Sequence, residues 1–220
     1  MSLKKAVIFI IVILLIDQLS KIYIKTHFVL GERFVVFDWF QIAFVENDGM
    51  AWGTKLSDFA SFISDRTAKL CLTLFRVVAV FGIGYWLVTA IKKQRTKTLV
   101  FAIALILSGA LGNIVDSVFY GVLFSDSYGE VATFLPSDGG YASVFHGNVV
   151  DMLHFPMFSG HYPDWFPFVG GQIFSFFDPV FNIADMAIST GIGILIFFNK
   201  RAFKDDRLMV PKEESQPLNE

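Results

Sequence analysis

The chain has 220 residues, 54% of them hydrophobic, with 26 phenylalanines, a formal net charge of -2 and a mean hydropathy of +0.57. That composition excludes an ordinary soluble domain, because apolar runs of ~20 residues indicate membrane spans. No folded basic face suits a nucleic acid, and the single cysteine, Cys71, excludes an internal disulfide.

The first predicted element is a span over about 6–24, AVIFIIVILLIDQLSKIYI. Lys4 and Lys5 precede its apolar core, as they would in a cleaved signal peptide. No small-x-small cleavage site follows, and Asp17, Gln18 and Lys21 continue with helical spacing, so a retained span is expected. Asp17 can pair with Lys21 one turn on. Residues 25–69 form a first external loop that reads as short strands, Phe34–Phe40 and Gln41–Val45, with Asn47-Asp-Gly49 as a turn signal. A small sheet lying on the outer membrane surface accommodates their aromatic side chains.

Span two covers about 70–91 and contains Arg76; span three covers about 98–119. The second external loop, 120–177, is longer than an ordinary connector, so it is either functional or partly disordered. Trp165, Phe166, Phe168, Phe174, Phe176 and Phe177 place its second half in the interface. Span four covers about 178–198, and residues 201–220 read as a polar, disordered tail. The expected fold is therefore mainly α: one integral membrane domain over 1–200, with four transmembrane helices, a small external sheet and an interfacial external segment.

Cation placement sets the direction of the spans. Lys4 and Lys5, the cluster Lys92, Lys93, Arg95 and Lys97, and Lys200, Arg201, Lys204 and Arg207 all belong on the cytoplasmic side. Both termini are then cytoplasmic. The first external loop obeys this rule imperfectly, since it contains several cations.

Asp185 lies in a run otherwise apolar enough to enter a bilayer, where a carboxylate costs roughly 2.5–3.5 kcal/mol. From Thr98 to Asn199 there is no lysine or arginine to neutralise it. Three aspartates share the pattern Asn-x-x-Asp: Asn113 with Asp116, Asn148 with Asp151, and Asn182 with Asp185. On a helix such a pair shares one face. Asp17, Asp116 and Asp185 belong near the outer ends of spans one, three and four, and Asp151 lies in the loop that can fold back over them. Any cationic partner for Asp116 must come from another span; Lys21 and Arg76 are the candidates. Arg76 is preferred because its guanidinium binds a carboxylate bidentately.

Two carboxyls converging in a low-dielectric site can share one proton. One then activates water while the other polarises a carbonyl, which suits peptide hydrolysis without a metal or other cofactor. His146, His154 and His161 form no His-Glu-x-x-His set, and neither Ser-x-x-Lys nor Gly-x-Ser-x-Gly occurs. The residues alone leave three classes open: a membrane aspartic hydrolase, a proton- or cation-coupled transporter, and a structural subunit. The lack of an inverted repeat counts against the transporter.

Five segments in order resemble the lipoprotein signal peptidase (signal peptidase II) family. Asp17-Gln18-Leu-Ser-Lys21 is similar to its Asp-Gln-x-x-Lys, and Asn47-Asp-Gly49-Met-Ala51-Trp52 to its Asn-x-Gly-x-Ala-Phe. Gly112-Asn113-Ile-Val-Asp116, Val149-Val-Asp151-Met152 and Phe181-Asn182-Ile-Ala-Asp185 resemble its three aspartate boxes. The resemblance implies an aspartic endopeptidase of the bacterial inner membrane with its active site at the outer leaflet. Its substrates would be diacylglyceryl-modified prolipoproteins, cut before the lipidated cysteine, and globomycin-type cyclic peptides would inhibit it. By motif position Asp151 and Asp185 are the catalytic pair, while Asn47, Gly49, Asn113, Asp116, Asn182, Asp17 and Lys21 bind substrate or support the pair. No cofactor or metal is implied; the partners are substrate and membrane phospholipid, the enzyme being a monomer. Ser117 stands where the family's box usually has arginine, and Met152 and Trp52 where it has phenylalanine. An insertion over about 124–147 separates Asp116 from Asp151.

Overall fold

The computed structural model describes residues 1–47, 64–156, 158–176 and 179–204. Gly49, Ala51, Trp52, Asp178 and the tail beyond 204 lie outside the described residues.

Among the described residues, three helices are long and apolar enough to cross a bilayer: α1 (Leu3–His27), α2 (Asp65–Lys92) and α3 (Lys97–Leu123). Hydroxyl caps start all three. Ser2, Ser64 and Thr96 accept from the backbone N–H groups of Lys5, Thr67 and Leu99. The predicted fourth span is shorter than expected. Its helix, α4 (Ile183–Phe197), has 15 residues, or ~22 Å at ~1.5 Å per residue, against ~30 Å of hydrocarbon. The short α5 (Asn199–Ala202) follows it.

The third helix is central. Some 56% of its apolar window is buried, against 22% for α1 and 11% for α2, so the outer faces of α1 and α2 look toward lipid. Ile8, Ile11, Leu15 and Leu19 of α1 and Phe75, Val78, Phe81 and Tyr85 of α2 are exposed there. Against α4, α3 packs at the closest backbone approach small residues allow. A Cβ at Gly109 would fall on the Ala184 carbonyl and the Ile188 side chain; one at Gly191 would meet Ile106 and the Ala102 carbonyl.

The sheet is antiparallel and four-stranded, in the order β1 (Arg33–Phe37), β2 (Phe40–Asn47), β3 (Val149–His154), β6 (Val180–Phe181). A separate hairpin pairs β4 (Phe158–His161) with β5 (Ile173–Phe176). Three expectations change here. Of the two strands expected, the one over Phe34–Phe40 ends at Phe37, and after a turn at Asp38 and Trp39 the second begins at Phe40 rather than Gln41. Asp151 sits on β3 rather than in a loop, paired with Val45 across the ladder. The start of the predicted fourth span is β6, which pairs with Leu153 and His154 before the chain turns into α4. Extended backbone is cheap there because the sheet supplies the hydrogen bonds that Val180 and Phe181 would otherwise lack.

The insertion packs onto this sheet and the helix ends beside it. Lys25, fully buried, is enclosed by Phe44, Phe124 and Tyr141 and pairs with Glu46 and with Ser127 Oγ at 2.8 Å. Trp165 and Phe168 are exposed on the β4–β5 connection. The cation clusters meet at the opposite end of the molecule. Lys5, Lys97 and Arg201 line one cleft, and Lys93 and Arg95 another.

Candidate active site

Asn182 organises the site. It caps α4 with its side-chain oxygen, which accepts the Asp185 N–H at 2.8 Å, while its own N–H donates to Asp185 Oδ2 at 3.4 Å. This reciprocal box places the Asp185 carboxyl in the first helical turn, where the helix N-terminus favours negative charge. The Asn182 amide nitrogen donates to Asp151 Oδ1 at 2.6 Å, to the Val150 carbonyl at 3.3 Å and to Asn113 Oδ1 at 3.2 Å. One buried asparagine thus holds both acids, the Asp151 carboxyl through its side-chain amide and the Asp185 carboxyl through its backbone N–H.

Each carboxyl has a second donor. Asn113 of α3 donates to Asp185 Oδ1 at 2.8 Å, and Asn47, at the end of β2, donates to Asp151 Oδ2 at 3.4 Å. Asp151 is buried and Asp185 is half-buried. Burial, and next the neighbouring Asp185 carboxylate, push the Asp151 carboxyl up to about 7.

Behind this pair lies a buried charged layer. Lys21 of α1 makes ion pairs with Asp116 at 2.7 Å and with Asp17 at 3.0 Å, and donates to Asn113 Oδ1 at 3.0 Å. Gln18 bridges the same two acids, at 2.9 Å to Asp116 and 3.1 Å to Asp17, and receives the Tyr120 hydroxyl at 3.2 Å. Asp17 Oδ1 accepts the Ala184 N–H at 2.9 Å, and Asp116 Oδ2 the Val150 N–H at 3.3 Å. The two acids therefore tether the backbones beside Asp185 and Asp151. Gln18 and Tyr120 were not among the expected site residues. Gln18 had a signal, a polar amide inside an apolar span; Tyr120 had none.

Two expectations need correction. The ion pair to Asp116 comes from Lys21, not from Arg76. Lys21 projects from the adjacent helix at the same depth, while Arg76 of α2 donates to Ser117 Oγ at 3.0 Å. A guanidinium thus reaches position 117 from another helix. The shared helical face holds for Asn113 and Asp116, which Lys21 bridges, but not for Asn148 and Asp151. On extended chain these diverge: Asn148 donates to Glu46 at 2.8 Å while Asp151 meets Asn182. Gly49 lies outside the described residues. Met152 points away from the acids into an apolar cluster with Ile24, Phe44 and Val150. An apolar cavity of about 550 Å³ opens beside it, lined by Tyr23, Ile24, Phe28, Phe34 and Ile183.

His154 contacts Gln41 and His146 contacts Ser143. Among the described residues, no group of three or more His, Cys, Asp or Glu is placed to hold a metal ion. Two carboxyls bonded to one asparagine suit general acid–base attack by water on a carbonyl.

Comparison with known proteins gives concordant matches. The family model described as signal peptidase (SPase) II matches residues 9–199. A lipoprotein signal peptidase of Porphyromonas gingivalis is 45% identical over 216 residues, covering 94% of this chain and 91% of its own. One from Amoebophilus asiaticus is 33% identical over 192 residues, covering 85% and 73%. A bacterial membrane enzyme solved by the in meso method at 1.9 Å has the same fold, with a TM-score of 0.57, 22% identity and coverage of 90% and 93%.

Proposed function

The chain belongs to the signal peptidase II family of aspartic peptidases, and on that premise we propose how its acids work and on what. It removes signal peptides from prolipoproteins. The substrate class is the diacylglyceryl-modified precursor, cut on the N-terminal side of the lipidated cysteine. Asp151 and Asp185 share one proton. Asp151 is the acid, because burial keeps its proton on up to about pH 7; it polarises the scissile carbonyl. Asp185, fed by the Asn113 amide and the Asn182 N–H, is the base that takes a proton from water. The observation that carries this reading is that the single residue Asn182 bonds both carboxyls, Asp151 through its side-chain amide and Asp185 through its backbone N–H. Lys21, Asp17, Asp116, Asn113 and Asn182 hold the pair in place; Asn47 donates to Asp151, and motif position assigns it and Gly49 to substrate binding or support of the pair.

The enzyme is a multi-pass membrane protein. We place it in the bacterial inner membrane as a monomeric domain over 1–200 with four spans, cytoplasmic termini and a cytoplasmic tail over 201–220. The acids sit at the outer leaflet. The gathering of Lys5, Lys93, Arg95, Lys97 and Arg201 at the end opposite the sheet supports that direction. Two acyl chains, at ~0.8 kcal/mol per buried CH₂, hold the substrate cysteine at that depth. The cavity beside Met152 and Ile183 is apolar and open enough to receive such chains. No metal takes part, and globomycin-type peptides inhibit by covering the pair.

The test is turnover of a lipidated precursor by purified Asp151→Asn and Asp185→Asn. Each loses cleavage while still inserting, and the double variant loses no more, because the two act as a unit. Near-wild-type turnover in either single variant would sink the assignment.

A further inference from the structure

The second helix carries a polar stripe that this mechanism leaves unused. Arg66, Lys69, Thr73 and Arg76 recur at intervals of three and four, so they line one face of α2. Arg66 reaches Ser143 Oγ at 3.4 Å, Lys69 bonds Asn148 Oδ1, and Thr73 Oγ1 donates to the Phe145 carbonyl at 3.1 Å. These contacts fasten α2 to the end of the insertion, immediately before β3. Arg76 is the deepest member. Its guanidinium donates to Ser117 Oγ, which in turn donates to the Asn113 carbonyl at 2.8 Å. Below it the same face turns apolar, with Val80, Ile83, Leu87 and Ala90 packed in the bundle core.

Asn113 in turn donates to Asp185 Oδ1 at 2.8 Å, so a chain of three contacts leads from the Arg76 guanidinium to the acid pair. The charged and titratable groups around the site come from every packed element. Asp17 and Lys21 belong to α1, Asp116 to α3, Asp151 to β3, Asp185 to α4, and Lys69 and Arg76 to α2. Lys21 is taken by Asp17 and Asp116, and Lys69 is held on Asn148.

We propose that Arg76 is a positioning residue of the reaction: held on Ser117, it supplies the positive field that keeps the Asp151–Asp185 pair singly ionised at neutral pH. This rests on those two acids being the catalytic pair. The field matters because Asp151 is buried, where a nearby charge is less screened than in water.

The experiment is the pH–rate profile of lipidated-precursor cleavage by wild type, Arg76→Gln and Arg76→Lys, with thermal unfolding recorded for each. Asp185→Asn, run alongside, must be inactive; if it cleaves, the catalytic pair is wrong, and that failure is distinct from a failure of Arg76. Removing the cation makes the pair harder to ionise, so both limbs of the bell move to higher pH by about one unit in Arg76→Gln. At pH values below the lower limb, kcat then falls on the order of tenfold with little change in KM. Arg76→Lys keeps the charge and holds the limbs near wild type. Unmoved limbs in Arg76→Gln, with or without a loss of thermal stability, would overturn the proposal and leave Arg76 a purely structural link to Ser117.

Discussion

Lys21→Met is expected to lower stability by about 3–5 kcal/mol, the cost of removing one partner from a buried ion pair. The ammonium is fully buried, as are Asp17 and Asp116, and it lies 3.0 and 2.7 Å from them. Methionine fills nearly the same space, so packing changes little and the electrostatic loss dominates. Gln18 still donates to both acids, which keeps the cost within the range for one pair rather than its sum over two. Against a total of roughly 5–15 kcal/mol this is a large fraction, and it should appear as a fall in Tm on the order of 10 °C. Asp116→Asn removes the charge left behind and recovers part of the loss when combined with Lys21→Met. The assay is a double-mutant cycle of thermal or denaturant unfolding in detergent. A coupling of about 0.5–3 kcal/mol is expected. Additive effects would refute the argument, because they would mean that the two charges do not depend on each other. Lys21 also holds Asn113 Oδ1, so cleavage should fall even at temperatures where the variant is folded.

Gly109→Val should abolish the folded bundle or displace α4, since its Cβ would meet the backbone carbonyl of Ala184, which cannot yield as a side chain can; loss of helix–helix protection in hydrogen exchange checks this. Cleavage should decline as pH rises through about 7, where Asp151 gives up the proton it donates; a profile flat from pH 5 to 9 would contradict the acid's assignment. The linked stability has the same sign. Unfolded Asp151 ionises near pH 4 while the folded residue stays protonated to about 7, so its contribution is full below the unfolded value and lost as pH rises through the folded one. Reporters at Gln94 and after Lys204 should read cytoplasmic and one at Ser137 external; a cytoplasmic signal at Ser137 would reverse the bundle.

Much of this protein was legible in the sequence because membranes penalise charge. An acid in an apolar run needs a reason, so Asp17, Asp116 and Asp185 stood out. Helical spacing foretold the Asp17–Lys21 pair, since i and i+4 meet whatever the rest of the chain does. Apolar length located three of the helices. Tertiary structure decided what depends on register and on distances between elements. Pairing with Val45 put Asp151 on a strand, and pairing with His154 drew Val180 into the sheet and shortened the last helix. The close approach of α3 and α4 at Gly109 and Gly191 set where Asn182 meets Asn113. Local pattern carries no information about which of two distant cations arrives beside Asp116. Packing placed Lys21 there and sent Arg76 to Ser117, because the depth and rotation of each helix are fixed by all its neighbours at once.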